Sequence, residues 1–171
     1  MDVLVVVDMQ NDFIDGALGS PWAPEIVEGI NDLVKGFTGK VIFTRDTHFA
    51  DYMNTQEGRK LPVEHCIKDT YGWQITNRID IPVGAEVIDK PTFGSVVLSE
   101  MLVELNKTDP ISSVELVGLC TDICVISNAM LIKSALPEIT VRVRGELCRG
   151  VTPESHNTAL AAMSACQIEI I

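Results

Sequence analysis

The sequence predicts an α/β protein: a three-layer, doubly wound, mainly parallel sheet of about six strands with helices on both faces. Two observations carry this. Short β-branched apolar runs alternate along the chain with stretches whose apolar residues recur at helical spacing, the order that builds parallel crossovers. The first run, Val3 to Val7, has no polar residue at all, as a strand covered on both faces requires. With 171 residues, 46% of them hydrophobic, the chain is expected to form one domain over residues 1–171.

Each element has its own signal. Gln10 to Pro24 reads as loop, broken by Gly16, Gly19, Pro21 and Pro24, and Glu25 to Gly36 as an amphipathic helix with Ile26, Ile30, Leu33 and Val34 on one face. Lys40 to Thr44 is the second strand. The irregular segment from Arg45 to Ile79 is long for a compact domain, and such loops are usually functional. Glu86 to Asp89 is the third strand and Ser95 to Leu105 a helix. Val114 to Val117 and Ile123 to Leu136 form the fourth strand and its helix. Thr140 to Val143 is a fifth strand. Thr152 and Pro153 open a helix ending near Ser164, and Gln167 to Ile171 suits an edge strand.

Composition excludes several classes. The 24 acidic and 13 basic residues leave a net charge of −11, which repels phosphate backbones and anionic lipid heads, so neither nucleic acid nor membrane is an expected partner. The chain enters a strand at once, without a cationic or apolar leader, and a cytoplasmic protein is expected. Its five cysteines match neither a zinc-finger spacing nor a disulfide framework, which fits reduced thiols.

In an open parallel sheet, ligands bind outside the carboxyl ends of the strands. Asp8, Asp46, Lys90 and Cys124 all fall at such ends, so one crevice can collect them. A dinucleotide site is excluded by Asp-Met-Gln-Asn-Asp after the first strand, where a glycine-rich phosphate turn would stand. Cys124 follows Gly118 and Thr121-Asp122, in the first turn of a helix, whose partial positive charge biases a thiol toward thiolate. Position alone says little, because cysteine is among the most often buried residues.

Three blocks, VLVVVDMQNDF, VIDKPTFGS and GLCTDICV, stand in this order from Val3 onward. Together they resemble the cysteine hydrolases of the isochorismatase-like superfamily, nicotinamidases most of all, and the likeness runs to about Ile168. The resemblance implies an amidase acting on a small carboxamide, with nicotinamide to nicotinate as the reaction, in a homo-oligomer. Asp8 would take the thiol proton, Cys124 attack the carbonyl and Lys90 hold the charges. It also implies a cis peptide between Leu119 and Cys120, with the backbone N–H groups of Cys120 and Cys124 forming an oxyanion hole.

The long loop would carry a metal group of Asp46, His48, Glu57 and His65, Asp51 competing with Glu57 as the fourth ligand. Asp-x-His in extended chain puts two ligands on one side, and a mixed imidazole and carboxylate set suits zinc, iron or manganese. Phe13 would stack on an aromatic substrate. Nicotinamidases often have a tryptophan shortly before the last metal histidine, where this chain has Leu61-Pro62-Val63, so Leu61 would be the second wall. His156, the third histidine, reads as a surface or capping residue. Two other readings stay open: a cysteine hydrolase of carbamoyl or ureido substrates without a working metal, and a catalytically silent binding protein. A vinyl-ether-cleaving isochorismatase is disfavoured by Cys124.

Overall fold

The computed structural model describes residues 1–171. Its six strands are β1 (Asp2–Val7), β2 (Lys40–Asp46), β3 (Glu86–Lys90), β4 (Ser113–Leu119), β5 (Thr140–Arg149) and β6 (Glu169–Ile170). They form one sheet in the order β3-β2-β1-β4-β5-β6, and every neighbouring pair is parallel. The helices are α1 (Asn11–Ile14), α2 (Val27–Gly36), α3 (Gln56–Lys60), α4 (Val96–Thr108), α5 (Ile126–Ala135) and α6 (Pro153–Ala165). None is long and apolar enough to cross a membrane.

The two-residue period of β1 divides the core. Val3, Val5 and Val7 join Leu98 and Leu102 of α4, Ala129 and Ile132 of α5, and Met163 of α6. Leu4 and Val6 face the other way, among Ile30 and Val34 of α2. These five apolar side chains of β1 are fully buried, and each contributes about 1.5–3 kcal/mol by leaving water. The chain winds outward from β1 to β2 and β3 on one side, then returns to β4, β5 and β6 on the other. The strand order therefore reverses between β1 and β4, where such sheets open a crevice at their carboxyl ends. Gly118 permits the close approach there: its φ is +119°, and a Cβ would stand 2.1 Å from Val7 O.

Three expectations are corrected. Asn11–Ile14 is a short helix and Ala23–Ile26 a 3₁₀ turn, inside and just past the stretch read as loop. Four residues are too few to show a helical period. β5 runs six residues beyond Val143, because Arg142 and Arg144, which interrupt its apolar pattern, are paired with Glu169 at 2.9 Å and Glu115 at 2.7 Å. The helix after β4 begins as a π-helical turn, Thr121–Val125, before α5.

Candidate active site

Three strand ends meet in the crevice. Asp8 ends β1 in the left-handed region, φ +47°, which aspartate tolerates better than most side chains. Thr44 of β2 donates its hydroxyl to Asp8 Oδ1 at 2.6 Å. Lys90, at the end of β3, places Nζ 2.7 Å from Asp8 Oδ2, an ion pair with both side chains fully buried. The same ammonium lies 3.3 Å from Cys124 Sγ, 3.5 Å from Asp46 Oδ1 and 3.1 Å from Thr92 O. Lys90 thus bridges the two groups that chemistry would pair.

Burial dominates their protonation. It lifts the Asp8 carboxyl above its ordinary value, with Lys90 opposing. Burial would lower the Lys90 ammonium, but Asp8, Cys124 and Asp46 outweigh it and hold the proton on. For Cys124, burial and then the Asp8 charge push the thiol well above its usual value. The expected bias toward thiolate is therefore not found. Desolvation of the buried sulfur opposes the pull of the helix end on the thiol proton. The Leu119–Cys120 peptide is cis.

Beside this trio the long loop gathers Asp46, His48, Glu57 and His65, their ligand atoms all within 4.8 Å of one another. His48 Nε2 lies 3.0 Å from Asp46 Oδ2 and 3.6 Å from Glu57 Oε1, and His65 Nε2 lies 3.5 and 3.7 Å from the same oxygens. A metal shell of about 2.1 Å radius sets neighbouring donors roughly 3–3.5 Å apart, so the group has the size of a coordination shell. His65 Nδ1 faces Val63 O at 2.8 Å, the contact that fixes a ligand imidazole with its Nε2 turned inward. His48 Nε2 is buried without a hydrogen-bond partner. The residues fit a divalent ion. Asp51 is exposed and outside the group, so Glu57 is the carboxylate brought in.

A cavity of about 370 Å³ opens over Cys124, lined by Cys120, Asp46, Glu57 and His65 and walled by Phe13, Leu61 and Phe93. Phe13 and Leu61, the two walls named from the sequence, both line this cavity. Phe93 was passed over, although it lies three residues past Lys90.

Other neighbours were equally silent in the sequence. Gln10 is fully buried; its amide donates to Asp46 O at 2.9 Å and Trp73 O at 2.8 Å and accepts from Asp46 N at 2.7 Å, which ties the segment after β1 to the end of β2 and to the long loop. Tyr52 packs its ring 4.7 Å from His48 and 5.1 Å from His65. His156 is half-buried and not a free surface side chain: its Nδ1 is 2.8 Å from Thr121 Oγ1, beside the π turn.

The sequence profile of the isochorismatase domain matches residues 2–171. A nicotinamidase of Saccharomyces cerevisiae is 32% identical over 109 residues, covering 46% of this chain and 50% of that protein, so the match spans half of that relative's length. One of Schizosaccharomyces pombe is 25% identical over an alignment that covers 98% of this chain and 91% of the other. Among solved structures, the pyrazinamidase of Pyrococcus horikoshii in complex with zinc superimposes with a TM-score of 0.86 at 26% identity, over 99% of this chain and 98% of that one. Matched by the profile over nearly all of its length, the chain belongs to the isochorismatase family of hydrolases.

Proposed function

We propose that this chain is a cysteine amidohydrolase that splits a small carboxamide into acid and ammonia through a thioester, with nicotinamide as its substrate, acting as one domain. The observation that carries the reading is Lys90 Nζ standing between Asp8 Oδ2 and Cys124 Sγ, buried beneath a cavity that Cys124 lines. In the mechanism, Asp8 takes the proton of the thiol as the sulfur attacks the carbonyl carbon, and the backbone N–H groups of Cys120 and Cys124 receive the oxyanion. Asp8 then passes that proton to the departing nitrogen, which leaves as ammonia. A water activated by Asp8 hydrolyses the thioester, and the thiol regains its proton. Lys90 balances the negative charge wherever it stands.

Asp46, His48, Glu57 and His65 would hold a divalent ion, zinc, iron or manganese, which supplies an open Lewis-acidic position able to receive a ring nitrogen. Phe13 and Phe93 offer aromatic surface to a planar ring, and Leu61 an aliphatic one. The relatives named nicotinamidase or pyrazinamidase support the substrate. A carbamoyl or ureido substrate is the second reading, favoured by Leu61 standing where an aromatic wall would be.

An ammonia-release screen over nicotinamide, pyrazinamide and N-carbamoylglycine tests the substrate. Trapping with the aldehyde analogue of nicotinamide tests the nucleophile. Nicotinamide should be turned over fastest and the adduct should map to Cys124; an adduct on Cys66, Cys148 or Cys166 would overturn the assignment.

A further inference from the structure

We propose that His156 is a positioning residue for this reaction: through Thr121 it holds the turn that presents the Cys120 and Cys124 N–H groups to the substrate carbonyl. The inference rests on the cysteine amidohydrolase reading above. Its basis is the 2.8 Å contact between His156 Nδ1 and Thr121 Oγ1. Thr121 is fully buried and follows Cys120 directly. Its hydroxyl finds its partner in the imidazole, and a buried hydroxyl left unpaired is costly enough to move the backbone that carries it.

The surrounding structure makes this contact a clamp. Gly150 lets the first turn of α6 close on the end of β5, since a Cβ there would lie 2.9 Å from both Cβ and N of His156. One residue beyond Thr121, the Asp122 carboxylate accepts from Val151 N at 3.1 and 3.3 Å. Two successive residues of the turn are therefore held, Thr121 by the imidazole in the first turn of α6 and Asp122 by a backbone amide of the β5–α6 connection. From the other side, Cys120 O accepts from Ile123 N at 3.1 Å and Val125 N at 3.0 Å, so the Cys120 peptide moves with the turn. His156 reaches the reacting atoms only through Thr121.

Oxyanion donors must stand about 2.7–3.1 Å from the developing charge, and removing one outright costs about 10²–10³-fold in kcat. Loosening the turn should cost less, about 10–100-fold. The test compares His156→Ala, Thr121→Val, the double variant and His156→Asn on whichever of nicotinamide, pyrazinamide and N-carbamoylglycine the unmutated protein hydrolyses fastest. Both single variants should lose that factor in kcat while KM and bound metal stay unchanged. The double variant should be no worse than either single, because one contact is removed in all three. His156→Asn keeps a polar atom near the place of Nδ1 and should restore most of the rate. Alkylation of Cys124 by iodoacetamide needs the thiolate but no oxyanion donors, and its rate should hold in every variant.

An unchanged kcat in His156→Ala, losses that multiply in the double variant, or a fall in alkylation as steep as that in turnover would overturn the inference. Cys124→Ala, measured alongside, separates the two levels. Turnover that survives it, or an unmutated protein that hydrolyses none of the three amides, sinks the functional reading itself. An inactive Cys124→Ala beside a fully active His156→Ala sinks only the role of His156.

Discussion

Replacing Lys90 by methionine should destabilise the protein as much as it disables it. The side chains of Lys90 and Asp8 are both fully buried, 2.7 Å apart, and Asp46 Oδ1 lies 3.5 Å from the same ammonium. Methionine fills similar space but leaves the Asp8 carboxylate uncompensated in a dry site. Breaking a buried pair in this way costs about 3–5 kcal/mol, which for a chain of this size lowers Tm by roughly 10–15 °C. Asp8→Asn combined with Lys90→Met removes the stranded charge, and the Thr44 hydroxyl, 2.6 Å from Oδ1, still has an oxygen to bond. The double variant should therefore recover at least half of the loss. Equilibrium urea unfolding of the three proteins at pH 7 decides the matter. A Lys90→Met loss below about 1 kcal/mol, or a double variant no more stable than the single, would refute the view that these charges are held by each other.

Cys124→Ala should abolish turnover with the fold intact, whereas Cys120→Ala should keep turnover within about threefold, since only the Cys120 backbone is asked to act; steady-state rates on both compare them directly. His48→Ala should strip bound metal, measured by elemental analysis, and reduce nicotinamide turnover by about 10²-fold or more. Benzamide, with the same carboxamide and no ring nitrogen, should be a poor substrate of the unmutated protein; equal rates on both amides, unaffected by chelator, would exclude the nicotinamide reading. Stability should also report on His156, which faces Asp122 of the π turn, Arg149 at the end of β5 and Glu25 across the adjoining cavity. Burial and then Arg149 lower its pKa below the ordinary 6.5, so the folded protein binds fewer protons than the unfolded one, and this contribution is present above pH 6.5 and lost as pH falls through the lowered value. Urea unfolding of His156→Asn should accordingly show a flatter dependence on pH as the pH falls below about 6.5.

What could be read in the sequence was whatever leaves a period or a chain-local motif. Val3–Val7 announces a central strand because nothing polar interrupts it, and Asp46-x-His48 announces a shared side because extended chain alternates. The contacts of Gln10, Thr44 and Thr121 leave no such trace, since each of these polar residues acts on a partner 35 or more positions away. The partner of His156 was missed for the same reason. The His156 helix has a clear N-terminal signal in Thr152-Pro153, which explains a nearby polar residue locally and hides the contact with Thr121. The thiol protonation was misjudged because the helix end is visible in sequence, while the burial that opposes it is a property of the assembled sheet.

Charge accounting joins the two halves of the site. When a proton passes from Cys124 to Asp8, the pair carries one negative charge before and after, and Lys90, 2.7 Å from one and 3.3 Å from the other, balances it in both states. A thiol with a raised pKa is therefore compatible with a nucleophile here, because the transfer relocates a buried charge without adding one. Asp46 upsets this balance, since it is a second anion drawing on the same ammonium at 3.5 Å. Its other neighbours, His48 and His65, place Nε2 3.0 and 3.5 Å from its Oδ2, and Glu57 adds a further carboxylate. Two carboxylates and two neutral imidazoles balance a dication. A divalent ion held there would match that charge within its own group, so that Asp46 would no longer compete for Lys90 and the ammonium would be left to Asp8 and Cys124.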